Sequence, residues 1–368
     1  MLIIVLSFVI SYSLVAIMLP RVLILSLKRR LIDPIDPRKV HSVPASRLGG
    51  VTFLPSLLFS LWFSLCITHI AQPLIGFEVY IDIKVIWESL ALLSLFLIGI
   101  YDDILGVAYR NKFLVQIFAA LLITLSGSYF RSLHGLFGIY EISPWIGIPT
   151  TIFLYVFITN ALNLIDGIDG LASLLSIMAL MVYGLLLYAN GQIGDSLLAF
   201  STLGALIPFC YHNVFGIKDR ARSKIFMGDT GALVIGAILG VVAIKIWSIT
   251  TCIGGDSFAP IFYTMAYTML IIPCFDVVRV ILHRFRAKRA LFLPDKSHIH
   301  HKFMALGYTA DVALGWIIAL NLLFVTINMI LSYSLNITLI LLIDITLWTL
   351  IQIYISRLIE IRGGSRVS

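Results

Sequence analysis

Charged residues are scarce in this chain of 368 residues: aspartate, glutamate, lysine and arginine together make up only 12%. Soluble globular proteins carry about 25% charged residues, whereas 60% of this sequence is hydrophobic. The deficit of charge excludes an ordinary soluble domain. It indicates that most of the chain lies in lipid.

Cysteine pairs and a glycine-rich nucleotide cradle are also lacking. The four cysteines are Cys66, Cys210, Cys252 and Cys274. They follow neither a metal-binding nor a disulfide-framework spacing, so we interpret them as small buried hydrophobic residues. No G-x-x-x-x-G-K sequence occurs, which excludes a nucleotide site of that type.

Long apolar runs dominate what is present. A membrane-spanning helix needs about 20 mostly apolar residues, and an open sheet could not satisfy its backbone in lipid. We therefore predict an all-α, polytopic membrane bundle of about 11 transmembrane helices, which forms one domain over residues 1–368. The eleven segments are 1–27, 48–70, 85–101, 113–130, 146–164, 171–190, 195–211, 231–250, 259–283, 312–332 and 337–358.

Basic residues predict the orientation of the bundle. If the loop after the first segment is cytoplasmic, 22 of the 26 lysines and arginines fall in or beside cytoplasmic loops, and outside loops keep only Lys84 and Arg131. This places the N-terminus outside and the C-terminus in the cytoplasm. The net charge of +7 is then mostly a consequence of topology, and no nucleic-acid partner is expected. Lys28-Arg29-Arg30 follows the first apolar run and no basic residue precedes it, which argues against a cleaved signal peptide.

Polar clusters interrupt the apolar chain at the predicted cytoplasmic ends of the helices. Asp102 and Asp103 follow the third segment, and Lys112 precedes the fourth. Adjacent carboxylates repel each other unless a cation or a proton is shared, and acids at the membrane edge favour a functional interpretation. A solvated helix end is the structural alternative.

The strongest local pattern is Asn160 to Gly170, which contains Asn163, Asp166 and Asp169 among glycines. Oxygen ligands on a loosened backbone suit a hard cation such as Mg²⁺, which usually takes a few carboxylates plus substrate phosphates. Helix capping is the alternative for each residue alone. Asp229, between Gly228 and Thr230, is either the N-cap of the eighth helix or a further metal ligand.

Three histidines, His298, His300 and His301, stand within four residues and beside several cations. Zinc is an alternative, but cysteine is missing from the pattern and the acids elsewhere are rich in oxygen. Phosphate binding by imidazole and cations fits better. Together the clusters predict a pocket at the membrane face for a divalent ion and phosphates, which is what phosphoryl transfer requires.

At these residues the chain resembles the polyprenyl-phosphate N-acetylhexosamine-1-phosphate transferase family. The similarity runs from Arg38-Lys39-Val40-His41 through Arg47-Leu48-Gly49-Gly50 to the histidine cluster, and the form His298-Ile299-His300-His301 is similar to the branch that uses UDP-GlcNAc. The resemblance implies a magnesium-dependent enzyme (Mn²⁺ as a substitute) of the inner, or plasma, membrane, with its site on the cytoplasmic face. It would transfer N-acetylhexosamine-1-phosphate from a UDP-sugar to polyprenyl phosphate and release UMP, as the first membrane step of cell-surface polysaccharide assembly.

The resemblance also implies roles for individual residues. Asn163 and Asp229 match metal ligands; Asp102, Asp103, Lys112, His300 and His301 match catalytic positions; and Asn213, Phe226, Asp166, Asp169, Arg289, His298 and Arg47 match substrate-binding positions. Within the acidic pair, we predict that Asp102 takes a proton from the acceptor phosphate. Asp103 would orient the acceptor or help to hold the metal and Lys112.

The chain departs from the family pattern at two positions: Gly106 stands where a third acid is frequent, and Ser46 replaces a common proline. The peptidoglycan branch, phospho-MurNAc-pentapeptide transferase, is the alternative within the family. An ion-coupled transporter or a lipid-binding scaffold is the alternative outside it, although the acids cluster at one surface and no repeat is visible. The sequence leaves open the sugar, the lipid length and whether the protein is a homodimer.

Overall fold

The computed structural model describes residues 1–29, 31, 46–75, 83–216, 224–249, 252, 258–288 and 297–364. The predicted all-α architecture is confirmed, because these residues form helices with one small hairpin. The helices are α1 (Leu2–Arg29), α2 (Phe53–Ile75), α3 (Ile83–Leu105), α4 (Tyr109–Leu125), α5 (Pro144–Ile165), α6 (Leu171–Ala189), α7 (Ile193–Phe215), α8 (Gly228–Trp247), α9 (Ala259–Thr268), α10 (Ile271–Arg286), α11 (Ile299–Ala305), α12 (Ala310–Leu331) and α13 (Ile337–Gly364).

Within the described residues, nine helices are long and apolar enough to cross a membrane, and the bent pair α9 and α10 makes a tenth. The fourth predicted segment corresponds to α4, which has 17 residues. This lies at the lower limit of about 17 residues for a spanning helix. The chain is thus a multi-pass membrane protein, whereas the count of eleven and the orientation of the termini remain predictions.

Two segments differ from the sequence-based expectation. The predicted span 259–283 is two helices, α9 and α10, which meet at an angle of 50°. The predicted outside loop 131–145 contains a hairpin of β1 (Ser132–Leu136) and β2 (Ile139–Glu141). Its two-residue turn places Phe137 and Gly138 at φ of +52° and +78°, the conformation of a type I′ hairpin turn.

The core of the described bundle is centred on α8. Sixteen of its 20 residues are buried, and α8 packs against α3, α5, α6 and α9. α1 and α7 pack along each other, and α12 and α13 cover α9 and α11. The two ends of α8 are therefore surrounded by the ends of other helices, and both ends carry charged residues.

Candidate active site

The N-terminus of α8 is fixed by a tight contact with residues 46–50. The Gly50 N–H donates to the Met227 carbonyl at 2.9 Å. A Cβ at position 50 would lie 2.1 Å from the backbone nitrogen of Gly231. Only glycine permits so close an approach, so the Arg-Leu-Gly-Gly run positions the first turn of α8.

Asp103 caps this helix end from α3. Its Oδ1 accepts the backbone N–H of Asp229 at 2.8 Å, while its Oδ2 accepts the backbone N–H and the hydroxyl of Thr230 at 2.9 and 2.6 Å. The first N–H groups of a helix have no partner within the helix, so a carboxylate there satisfies them and complements the helix dipole. These contacts use both oxygens of Asp103. Lys112, which the sequence suggested as a partner of Asp103, contacts Asp102 and Asp229 instead.

Lys112 joins the two other carboxylates of the cluster. Its Nζ forms an ion pair with Asp102 and another with Asp229, the latter at 2.8 Å. Asn163, in the last turn of α5, donates to the same Oδ1 of Asp229 at 2.6 Å. Asp102 also accepts the Val107 N–H at 2.6 Å. We call Asp102, Lys112 and Asp229 the inner triad.

The loop between α5 and α6 lies beside the inner triad. Asp166 follows α5 directly, and burial, with Asp169 and Asp229 nearby, raises its pKa to about 7. Asp169 forms an ion pair with Lys224. Nearby negative charge thus disfavours ionisation of Asp166, whereas Asp169 has a cation to stabilise it.

Asn213 connects this loop to the strand-like segment before α8. Its Oδ1 accepts the Gly170 N–H at 2.6 Å, and its Nδ2 donates to the Ile225 carbonyl at 2.9 Å. The side chain is only 5% exposed. Since backbone groups occupy both ends of the amide, Asn213 positions the two loops, and its predicted contact with a nucleoside stays a prediction.

Phe226 and Arg47 lie on adjacent backbone segments at the start of α8. The Phe226 N–H donates to the Ser46 carbonyl at 2.7 Å, and the Phe226 carbonyl accepts the Gly49 N–H at 3.1 Å. Both side chains are partly exposed. The two predicted substrate-binding residues thus flank the same helix end as the inner triad.

The histidine loop is held by a buried acid that the sequence patterns did not single out. Asp276 of α10 is fully buried. It contacts the Nδ1 of His298 at 2.8 Å and accepts the Ile299 N–H at 3.2 Å, and Arg279 donates to it at 2.8 Å. The available signal was an acid three residues before an arginine in an apolar helix.

His300 packs directly against the α5–α6 loop. A Cβ on Gly167 would lie 2.3 Å from its Nε2, so only glycine leaves room for the ring. Burial, with His301 and His298 nearby, lowers the pKa of His300 to about 3, so its imidazole is neutral at neutral pH. Its Nδ1 has no hydrogen-bond partner within the described part of the chain. His300 thus offers a neutral imidazole that can donate one hydrogen bond.

The structure therefore brings together most of the residues predicted to form the site. Those at or beside the first turn of α8 are Asp102, Asp103, Lys112, Asn163, Asp166, Asp229, Phe226 and Arg47. Asp169 and Asn213 are linked to its flanking loops, and His298, His300 and His301 approach through the Gly167 contact. Arg289 lies outside the described residues.

The donor atoms around Asp229 fit a hard divalent cation. Two carboxylates, Asp102 and Asp229, share a single lysine, and the Asn163 amide would present its oxygen after a half-turn. Mg²⁺ is usually held by one or two carboxylates together with substrate phosphates. Among the described residues, no three His, Cys, Asp or Glu side chains form a closed metal site, so a metal bound here would require further ligands from the substrate or water.

Comparison with known proteins places this arrangement in a family. Residues 85–247 match the family described as glycosyl transferase family 4. The chain is 30% identical to the undecaprenyl-phosphate alpha-N-acetylglucosaminyl 1-phosphate transferase of Yersinia pestis, over 78% of this chain and 73% of the relative. It is 28% identical to a probable undecaprenyl-phosphate N-acetylglucosaminyl 1-phosphate transferase of Bacillus subtilis, over 87% and 83%.

The Escherichia coli K12 transferase of the same name is 29% identical over 77% of this chain and 71% of its own length. The family match contains the inner triad, Asn163 and the α5–α6 loop. It also contains Asp103, which caps α8. The relatives extend the similarity over most of the chain. The chain therefore belongs to the polyprenyl-phosphate N-acetylhexosamine-1-phosphate transferase family.

Proposed function

We propose that this protein transfers GlcNAc-1-phosphate from UDP-GlcNAc to undecaprenyl phosphate. An oxygen of the lipid phosphate attacks the phosphorus that carries the sugar. The bond from that phosphorus to the oxygen bridging the two phosphates breaks, and UMP leaves. The products are undecaprenyl-diphospho-GlcNAc and UMP. The names of the relatives support the acceptor and the transferred group, and the UDP donor is the part of the proposal that rests on the family resemblance.

The observation that carries the proposal is the inner triad at the N-terminus of α8. The positive end of the helix dipole attracts phosphate there. Lys112 lies between Asp102 and Asp229 and supplies a cation. Phosphoryl transfer depends mainly on positioning and on neutralising charge, and this helix end offers both.

Asp229 and Asn163 would hold Mg²⁺ at this position. The ion would neutralise the charge of the donor diphosphate. The carboxylates of Asp102, Asp103 and Asp229 exceed the single charge of Lys112, and a divalent cation would compensate that excess before an anionic substrate enters. Mn²⁺ accepts similar oxygen ligands and should substitute.

Asp102 is our candidate for the group that receives a proton from the acceptor phosphate. Its two oxygens contact Lys112 and the Val107 N–H, and each oxygen keeps a lone pair that can accept a proton. Transfer of Lys112 to an incoming phosphate would release one oxygen. In this proposal Asp103 keeps α8 in place rather than touching the acceptor.

A purified preparation in detergent or nanodiscs tests the proposal directly. UMP release should require UDP-GlcNAc and undecaprenyl phosphate together, stop on addition of a chelator and return with Mg²⁺ or Mn²⁺. UDP-MurNAc-pentapeptide and other UDP-sugars should be poorer donors. Folded, metal-loaded protein that releases no UMP from any UDP-sugar would exclude the proposal, and turnover of UDP-MurNAc-pentapeptide alone would favour the peptidoglycan branch.

Labelling in sealed cells tests the proposed location. We propose that the site faces the cytoplasm of the inner membrane, because the basic residues concentrate at that side. A cysteine at Ser132, in the hairpin, should react with an impermeant thiol reagent from outside, and a cysteine at Arg110 should not. The reverse pattern would invert the orientation.

The oligomeric state needs a separate measurement. Light scattering gives the size of the assembly and would decide whether the protein is a homodimer.

A further inference from the structure

A row of polar side chains runs through the part of the bundle formed by α9, α12 and α13. Asp344, Trp348, Gln352 and Ser356 recur at every fourth residue of α13 and so share one face. Asp344 is fully buried, and Trp348 and Gln352 are 5% and 6% exposed. Ionisable and polar residues inside a membrane are costly and favour a functional interpretation. The inner triad does not account for this row.

Asp344 lies at one end of the row. Its Oδ2 accepts the hydroxyl of Tyr267 at 2.8 Å and the amide of Asn328 at 2.9 Å. The Asn328 amide also donates to the hydroxyl of Thr268 at 2.9 Å. Among the described residues, Asp344 Oδ1 has no partner and no cation pairs with the carboxyl group. An isolated carboxylate is too costly at this depth, so the group must hold a proton or bind a cation.

Other buried atoms near the row lack partners within the described structure. They are Asn328 Oδ1, Asn321 Oδ1 and Nδ2, Trp348 Nε1 and Gln352 Nε2. Asn321 and Asn328 are fully buried on the same face of α12. Leaving a buried donor or acceptor without a partner in such a place is energetically costly. The set mixes donors with acceptors. A metal cation would satisfy the acceptors only, whereas water satisfies both kinds of atom and commonly fills such sites.

The other end of the row reaches the histidine loop. Lys302 of α11 donates to Gln352 Oε1 at 2.9 Å and to Ser356 Oγ at 3.0 Å. Lys302 directly follows His300 and His301 in sequence. Burial, with Arg279 nearby, lowers its pKa to about 8. The row therefore connects a buried acid in the bundle with a cation beside the candidate active site.

We propose that Asp344, Asn328, Asn321, Trp348, Gln352 and Lys302 form a water-filled polar seam in which Asp344 holds a proton. The ligands are water and a proton. The protonated carboxyl donates to a water molecule or to the Asn328 oxygen, and further waters bridge Asn321, Trp348 and Gln352. The titratable group that faces Asp344 from α9 is Tyr267, and the described face of α12 offers the neutral Asn321 and Asn328. The seam opens at Lys302.

Thiol accessibility tests whether the seam holds water. In a variant without the four native cysteines, Asn321→Cys and Gln352→Cys should react with a small charged methanethiosulfonate at least about tenfold faster than matched cysteines in lipid, because only the thiolate reacts. The matched controls are Leu322→Cys and Leu350→Cys, whose native side chains are 50% and 59% exposed on the outer surfaces of the same helices. Equal rates at the seam and control positions would overturn the proposal.

Infrared spectroscopy tests the proton. The background is an Asp166→Asn variant, which removes the contribution of Asp166. In nanodiscs at neutral pH this variant should show the carbonyl band of a protonated carboxylic acid, and adding Asp344→Asn should remove that band. Asp311→Asn, at the first turn of α12, is the matched control and should keep the band. If the band is missing from the Asp166→Asn background, or if added sodium ions remove it, Asp344 is an anion with a bound cation and the proposal fails. The thiol-accessibility test and the infrared test are both independent of UMP release.

Discussion

The two ends of α8 carry the same set of charges and differ in what surrounds them. At one end, Lys112 lies between Asp102 and Asp229. At the other end, Lys245 lies between Glu88 of α3 and Asp195 of α7, with both ion pairs at 2.5 Å. We call this second group the outer triad. Lys112 and Lys245 are similarly buried, at 17% and 13% exposure.

The helix dipole distinguishes the two groups. The acid of the inner triad stands in the first turn of α8, and the lysine of the outer triad stands in its last turn. Each charge complements its own helix end. Only the first turn lies at the positive end of the helix dipole, which favours an anionic substrate. Asp103 already accepts the N–H groups of Asp229 and Thr230 there, so attraction of phosphate to the inner end rests on the dipole and on Lys112.

The neighbours distinguish them as well. The inner triad has Asp103, Asn163 and the α5–α6 loop beside it, so negative charge exceeds positive charge where a metal is proposed. The outer triad ties the ends of three helices together. A lysine between two acids is thus no signature of catalysis by itself. The surplus of oxygen ligands and the position at the helix N-terminus make the difference.

The largest contrast should come from one acid of each triad. Asp229→Asn should lower UMP release by about 10³-fold, because it removes a charge that organises the phosphates and the metal. Asp195→Asn should keep most of the activity per folded molecule, because it alters only the opposite end of α8. Turnover assays on both variants, normalised to folded protein, measure the difference.

Two results would break this contrast. Equal loss of turnover in both variants would mean that the outer triad also serves catalysis. Full turnover of Asp229→Asn in excess chelator would remove Asp229 from the proposed metal site. Size-exclusion profiles of both variants are the control for folding.

The second contrast concerns stability. Lys245→Met should lower the free energy of unfolding by about 3 kcal/mol, since it leaves two carboxylates without their buried cation. Combining it with Glu88→Gln and Asp195→Asn should restore most of that loss, because a neutral set needs no partner. Thermal unfolding in detergent measures both the loss of stability in Lys245→Met and its recovery in the triple variant. A triple variant less stable than Lys245→Met would show that the outer acids have other partners that matter more.

The third contrast concerns the helix cap. Asp103→Ala should cost about 0.5–2 kcal/mol of stability, the range for losing a side-chain cap on a helix N-terminus, and should lower turnover about tenfold by releasing the first turn of α8. Thr230→Val removes one of the donors to Asp103 and should have a smaller effect. A double-mutant cycle measures their coupling. Additive losses would indicate that the Thr230 hydroxyl does not contribute to the cap and that Asp103 acts through the backbone N–H groups or elsewhere.

Most of the fold followed from apolar runs, because lipid allows only helices with satisfied backbones. The break between α9 and α10 was missed, although Pro273 in the first turn of α10 was a usable signal, since proline cannot donate the hydrogen bond that a continuous helix needs. The hairpin was missed because its turn, Phe137-Gly138, lacks the usual Asn-Gly or Asp-Gly.

The candidate site was predictable where charges cluster locally, as at Asp102-Asp103 or in the histidine loop. Residues that act as isolated partners were not. Asp276, Glu88 and Asp344 are single acids in apolar helices, and only packing reveals which groups they contact. Sequence spacing also left open whether Asp103 binds a substrate or caps a helix, since that depends on the position of α8.

The smallest effect concerns a neutral group at the inner end. His300 has a pKa lowered to about 3 by burial, with His301 and His298 nearby, so it carries no charge between about pH 5 and 8. His300→Gln should lower turnover about tenfold through loss of a hydrogen bond near the phosphates, yet the shape of the pH–rate profile in this range should not change. His69→Gln, on the exposed face of α2, is the control and should match the wild type.

An acidic limb near pH 6.5 that disappears only in His300→Gln would show that His300 is protonated during turnover. The inner end would then bind phosphate partly with an imidazolium, and its contrast with the outer triad would rest on an added positive charge as well as on the surplus of oxygen ligands.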